Sequence, residues 1–315
     1  MKTNTDFFPA KPSLYNNYNK TSLYYIDKHG NFSLYKENGI TLSQMRVEND
    51  KIPELYINKE DKLESTLEIQ EVFNSQIEEN ISQGKTHDVK NTLVDIMTAT
   101  LSEPRSGALI GVKKTVDILV DGYSKEPHFF STLAAISNNN YTTAIHSINV
   151  CAITLGVCFD MGKSDSEIKK IGLCAMLHDT GKIKVPDYIL NAARPLTDDE
   201  FRMIRMHPYH GYTILKKAKF NDDTCQTVYQ HHEKLNGKGY PRGLKGNEIR
   251  ESSQLIGVTD FYEAITNHDR AYRTAERPID ALDIIGACVG KGELKREYFE
   301  AMVKYLGETG IAFSK

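Results

Sequence analysis

Seven side chains able to ligate a metal recur in order along one stretch of this chain, and any fold it adopts must bring them together. His146 comes first, followed by the doublet His178-Asp179, by His207, by the pair His231-His232 and by Asp260. Imidazoles mixed with carboxylates suit divalent transition metals. A carboxylate has two oxygens and can bridge two ions. A bridged pair can generate hydroxide near neutral pH and clamp the attacking and leaving oxygens of a phosphoester. The pattern points to a hydrolase.

The residues around these positions repeat with a helical period. Ile168, Ile171, Cys174, Ala175 and His178 form one stripe, which places His178 at a helix end on the buried face. His146 lies on a helix whose apolar face includes Ile145, Ile148, Ala152 and Leu155. His231 and His232 follow Val228 on another helix. Neighbours on a helix diverge by about 100°, so both rings serve one site only if that helix points edge-on into it. Asp260 follows the apolar run Leu255-Ile256-Gly257-Val258. Inward-facing ligands from several helices are how bundle metal sites are built. Ser164-Asp165-Ser166-Glu167 and Thr197-Asp198-Asp199-Glu200 carry the capping-box pattern that opens helices.

The start of the chain reads differently. Residues 1 to 60 are rich in Tyr, Asn, Lys and Pro. Within residues 23–35 two short β-prone runs flank a turn at His29-Gly30, a second turn follows at Asn38-Gly39, and Leu55-Tyr56-Ile57 reads as a candidate further strand. From residue 62 the period becomes helical, with Ile69, Val72, Phe73, Gln76 and Ile77 in one set and Val89, Leu93, Ile96, Met97 and Leu101 in the next. The polar stretch 78–88 joins two helices. The expected fold is mainly α, a helical bundle holding a dinuclear metal site and preceded by a small β or α+β domain. The expected division is a hairpin-bearing accessory domain at 1–62, a helical linker at 63–110 and the ligand-bearing domain at 111–315. The first of these holds one histidine, His29, and no ligand cluster. It is expected to regulate from outside the chemistry, so that a fragment beginning near residue 100 keeps the metals.

Composition narrows the classes. A formal charge of −3 argues against a general nucleic-acid binder. The five cysteines are odd in number and none is in CxxC spacing, which suits a reducing compartment and buried thiols. Cys151 and Cys158 share an apolar face and read as packing. No apolar run approaches the roughly 20 residues that span a bilayer. The opening Met1-Lys2-Thr3-Asn4-Thr5-Asp6 lacks the apolar core of a signal peptide, so the expected location is cytoplasmic.

Taken as motifs, the same residues resemble a known family. His178-Asp179-Thr180-Gly181-Lys182 matches the HD signature, and His231-His232-Glu233-Lys234-Leu235-Asn236-Gly237-Lys238-Gly239-Tyr240-Pro241 matches the second signature of HD-GYP domains. The similarity takes in Pro186-Asp187, His207-Pro208 with Gly211, Gly243-Leu244-Lys245-Gly246, the run 260–266 and Arg270-Ala271-Tyr272-Arg273. The resemblance implies an HD-type helical bundle. It implies a phosphodiesterase that opens cyclic di-GMP to linear pGpG, to GMP or to both, with two divalent ions, iron or manganese, supplying an activated hydroxide. In that reading His146, His178, Asp179 and Asp260 match one metal site, with Asp179 bridging, and His207, His231 and His232 match the second. Lys182 matches a lysine that contacts the scissile phosphate and acts with Asp179 in catalysis. Arg270 and Arg273 match residues that hold the substrate's phosphates, and Tyr240 lies on the substrate side. Partners implied are a cyclic dinucleotide, other signalling proteins docking on the Tyr240 loop or the N-terminal domain, and a second copy in a homodimer; neither DNA nor a membrane is expected.

Some positions depart from the family. Thr142 stands one turn before His146, where some members carry a glutamate for a third metal, so two ions are expected. The Arg270 to Arg273 segment has Ala271 in place of proline and one extra residue near His268. Taken singly, each histidine also has a plainer reading: His146 as a hydrogen-bonded core residue, and His178-Asp179 as a buried pair at a helix end. His210 reads as a neighbour of the site or a surface residue, and His29, His87, His128 and His268 as structural or exposed. Two other functions remain in view: a catalytically weak sensor of cyclic dinucleotides, and an HD phosphohydrolase acting on another nucleotide.

Overall fold

The computed structural model describes residues 6–42, 52–102, 106–123, 129–136, 142–267 and 275–310. Four short strands open the chain: β1 (Phe7–Pro9), β2 (Leu23–Ile26), β3 (Phe32–Lys36) and β4 (Leu55–Asn58). They form an antiparallel sheet in the order β1-β4-β2-β3. The hairpin read from His29-Gly30 joins β2 to β3, and Gly30 takes the positive φ of 78° that the turn needs. Alternation gives the sheet two faces. Leu23, Leu55 and Ile57 are fully buried against the helices. On the other face Phe7 stacks on Phe32 at 4.0 Å and packs edge-on against Tyr24 at 5.0 Å.

The helices follow: α1 (Lys62–Ser82), α2 (Thr86–Ser102), α3 (Ser106–Tyr123), α4 (Phe129–Ala135), α5 (Thr143–Asp160), α6 (Asp165–Leu177), α7 (Asp187–Leu190), α8 (Asp198–Arg205), α9 (His207–Lys217), α10 (Asp222–Gln230), α11 (Glu251–Thr266), α12 (Pro278–Gly290) and α13 (Arg296–Thr309). Helix α5 is apolar all round and forms the axis of the bundle. Its residues from Ala144 to Cys158 are buried, and α2, α4, α6, α11 and α13 pack around it. Thr142 caps its start by accepting from the Ile145 amide. Gly162 ends it at a φ of 68°, where the Lys163 amide bonds back to the Cys158 carbonyl. By length and composition α5 is apolar enough to cross a membrane, which corrects the sequence expectation on apolar runs, yet 83% of it is buried within the bundle.

Both expected capping boxes are present, Ser164 with Glu167 and Thr197 with Glu200. Cys151, Cys158, Cys174 and Cys225 are buried free thiols, and burial pushes Cys158 up to about 12.

The segment expected as a linker behaves as part of the core. Ile69, Phe73 and Ile77 of α1 and Val89, Leu93, Ile96 and Met97 of α2 belong to the same apolar cluster as Ile148 and Leu155 of α5. The expected boundary at residue 110 falls inside α3. Glu68 of α1 ties down the N-terminal module: its buried carboxylate accepts from the amides of Asn19 and Lys20 and from the Thr21 hydroxyl.

Candidate metal centre

The ligand positions fall mostly where helices begin, end or break. His146 lies in the first turn of α5. His178 caps α6, and the chain then leaves the helix for a 3-10 turn over Thr180–Lys184, so His178 and Asp179 can both point into one cavity. His207 opens α9 with Pro208 behind it, where the missing amide costs no helical hydrogen bond. The doublet is presented from the end of α10 and not from its edge: the helix stops at Gln230, His231 caps it, and the two rings lie 4.1 Å apart at 42°. Asp260 projects from the middle of α11. Gly181 lets the His178 turn lie directly on α9, because a Cβ there would sit 1.9 Å from the His207 carbonyl oxygen.

All seven expected ligands converge. His146, His178 and Asp260 form one potential metal-holding group and His207, His231 and His232 another; Asp179 lies between, forming a further group with His178 and His231. Asp179 Oδ2 is 3.3 Å from His146 Nε2 and 3.5 Å from His178 Nε2, while its Oδ1 is 3.2 Å from His207 Nε2. Asp260 reaches His146 Nε2 with Oδ1 at 3.0 Å and approaches His232 Nδ1 with Oδ2 at 3.6 Å. Metal–ligand bonds of about 2.1 Å place adjacent donors about 3.0–3.4 Å apart, close to the 3.0–3.6 Å seen here.

The proton inventory shows that a cation fits. His178, His207 and His231 each donate Nδ1–H to the carbonyl three residues earlier, of Ala175, Ile204 and Val228, at 2.6–2.7 Å. A neutral ring so held presents a bare Nε2. The Nε2 atoms of His207 and His231 face each other at 3.2 Å. Asp179 Oδ1, buried and without a hydrogen-bond partner among the described residues, faces the same space. Three buried acceptors converging with no hydrogen between them call for a cation.

The electrostatics agree for four of the five imidazoles. Burial holds His178, His207, His231 and His232 below the ordinary imidazole value, His207 and His232 down at about 3. Burial also opposes charge on His146, but Glu263, Asp260 and Asp179 outweigh it and lift the ring to about 9. Asp179 and Asp260 stay well below the carboxylate range despite burial. Lys182 is the leading counterweight for Asp179 and His146 for Asp260.

The HD domain family matches residues 124–293. The chain belongs to the HD domain family. Over 210 residues, 65% of this chain and 50% of the relative, this HD protein is 32% identical to a cyclic di-GMP phosphodiesterase of Pseudomonas aeruginosa. Over 159 residues, half of this chain and 37% of the relative, it is 29% identical to 3'3'-cGAMP-specific phosphodiesterase 1 of Vibrio cholerae. The chain spans half or less of the length of these curated relatives. Among solved structures, a HDG"Y"P protein from Bdellovibrio bacteriovorus aligns with a TM-score of 0.64 at 15% identity, covering 96% of this chain and 100% of that one, which extends the shared fold over nearly the whole chain. The fold is thus a mainly α HD-type bundle with a small N-terminal antiparallel sheet, and its histidines and aspartates form groups that could hold divalent metals.

Two more of the expected residues, Lys182 and Tyr240, stand beside the HD centre. Lys182 Nζ is 2.5 Å from Asp179 Oδ2. Tyr240 packs on the His232 ring at 4.7 Å, and its amide bonds to the His232 carbonyl. Arg270 and Arg273 lie outside the described residues, as do His128 and His268. His210 is half-buried and belongs to neither metal-holding group.

Three residues escaped the sequence reading. Glu263 sits one turn after Asp260, with Oε2 2.5 Å from His146 Nδ1 and Oε1 accepting from Asn149 and Asn267. Glu233 anchors the loop that carries Tyr240, accepting from the Arg242 amide at 2.6 Å and the Leu244 amide at 3.0 Å. Arg205 lies over the Tyr240 ring, 4.6 Å from its centre. A signal existed only for Glu263, whose i,i+3 spacing from Asp260 puts two carboxylates on one helix face.

Proposed function

We propose that this chain is a metal-dependent phosphodiesterase of cyclic dinucleotides, opening cyclic di-GMP to linear pGpG or on to GMP. The observation that carries the reading is the set of buried acceptors at Asp179, His207 and His231, with the Lys182 ammonium beside it. In this reading the site holds two divalent ions, iron or manganese. His146, His178 and Asp260 hold one, His207, His231 and His232 hold the other, and Asp179 spans both. Such ions, when bound, neutralise phosphodiester charge and lower the pKa of water.

The protein's own groups do the rest. Backbone carbonyls fix which nitrogen of His178, His207 and His231 is bare, and Glu263 orients the His146 ring, so these donors are positioned before any ligand arrives. The Lys182 side chain is 20% exposed and ends at the mouth of the cluster, where its amine can turn from Asp179 to a phosphate oxygen. Tyr240 and Arg205 form an aromatic and cationic wall beside His232, suited to a flat base or a non-scissile phosphate. Arg270 and Arg273 are assigned to the substrate's phosphates by motif. Support for the substrate class comes from relatives named for cyclic di-GMP and for 3'3'-cGAMP, and the choice between the two is open to direct assay.

The test is to incubate manganese- or iron-loaded protein with each dinucleotide and separate the products by chromatography. Conversion of cyclic di-GMP to pGpG or GMP, abolished by a chelator, is the expected result. Tight binding with no product would establish a sensor, and cleavage confined to another nucleotide would establish a different phosphohydrolase.

A further inference from the structure

The two halves of the centre are built differently. His178, His207 and His231 give their Nδ1 protons to neutral backbone carbonyls, whereas the His146 Nδ1 meets the Glu263 carboxylate at 2.5 Å. Glu263 is itself buried at 3% exposure and fixed by two amide donors, Asn149 at 3.0 Å and Asn267 at 2.8 Å. An anionic acceptor behind an imidazole strengthens the opposite nitrogen as a donor. The group at His146 therefore has Asp260, a share of Asp179 and Glu263 behind it. The group at His207 has three imidazoles and its share of Asp179.

Access differs in the same sense. The side chains of His146 and His178 are 2% and 1% exposed; in the other group His207 and His231 are equally buried, and the opening is at His232, 25% exposed. His232 opens to the surface beside Tyr240 and Arg205.

Resting on the dinuclear reading above, we propose that the two metal positions are unequal. The inner one, beside His146 and backed by Glu263, fills first and holds its ion tightly. The outer one, beside His232, exchanges with the surroundings, so the free metal concentration sets how much of the protein is competent. Glu263 is a positioning residue for the inner ion and touches no substrate.

Titrating chelator-stripped full-length protein with Mn2+, and reading bound and free ion by calorimetry and electron paramagnetic resonance, tests this without any activity assay. The wild type should bind in two resolved steps. Glu263→Gln should weaken the tighter step by about 10–100-fold, the usual cost of losing an outer-shell partner, and leave the weaker step in place. Two equal steps in the wild type, or equal weakening of both steps in Glu263→Gln, would overturn the proposal. Should that variant fail to fold, His232→Ala decides from the other side: it must remove the weaker step alone, and loss of the tighter step refutes the assignment. A wild type that binds no Mn2+, iron or other divalent ion would instead defeat the metal reading itself.

Discussion

His207 and His231 face each other with Nε2 atoms 3.2 Å apart, although each ring has committed its only neutral-state proton to a backbone carbonyl. Two lone pairs buried at that distance repel unless a cation lies between or beside them.

Metal should consequently stabilise the fold as well as equip it. An ion at a hundredfold excess over its Kd contributes about 2.7 kcal/mol if it binds only the native state. Thermal melting with Mn2+ and with chelator should differ by several degrees, the chelated protein melting lower. Identical melting curves would show that the cluster tolerates its own repulsion.

Lys182 should act on substrate and leave metal loading alone. A charged ammonium offers donors only and cannot ligate. Lys182→Ala should keep its ions and its melting temperature in metal yet lose turnover by about 10²-fold, in line with removal of one oxyanion donor. Wild-type kinetics in this variant would remove Lys182 from the catalytic account.

The N-terminal half is expected to be structural, against the reading from composition. A fragment beginning near residue 100 discards α1 and most of α2 and uncovers the surfaces of α3 and α5 that they bury. It also loses Lys90, whose buried amine is donated to the carbonyls of Leu133 and Ile136 just ahead of α5. Such a fragment should aggregate or melt without metal uptake. A soluble fragment that loads metal and turns over would restore the regulatory-domain reading.

The sequence shows the ligands because each must be a His or Asp whatever surrounds it, and their order survives any packing. The β2–β3 hairpin and the capping boxes are legible because they are local. Other features are not. Glu263 meets His146 across 117 positions, and one turn from Asp260 it reads equally well as a solvated helix face. The carbonyls of Ala175, Ile204 and Val228 are ordinary backbone until a helix end aims them at a ring. Pairing of β1 with β4 depends on a contact between residues about 50 apart. The core role of α1 is hidden in the sequence because Gln70 and Asn74, which read as surface residues, are buried and hydrogen-bonded to Thr100, Ala108 and Thr115.

The most direct test of the central claim is metal stoichiometry in wild type and Asp179→Asn, measured by elemental analysis of anaerobically purified protein. If Asp179 joins the two positions through Oδ1 and Oδ2, the wild type reconstituted with excess metal should carry close to two iron or manganese ions per chain. Asp179→Asn, with an amide in place of the shared carboxylate, should lose both and with them all cleavage of cyclic di-GMP. An Asp179→Asn protein that retains two ions per chain, or a wild type that reproducibly holds three or none after reconstitution, would contradict the account.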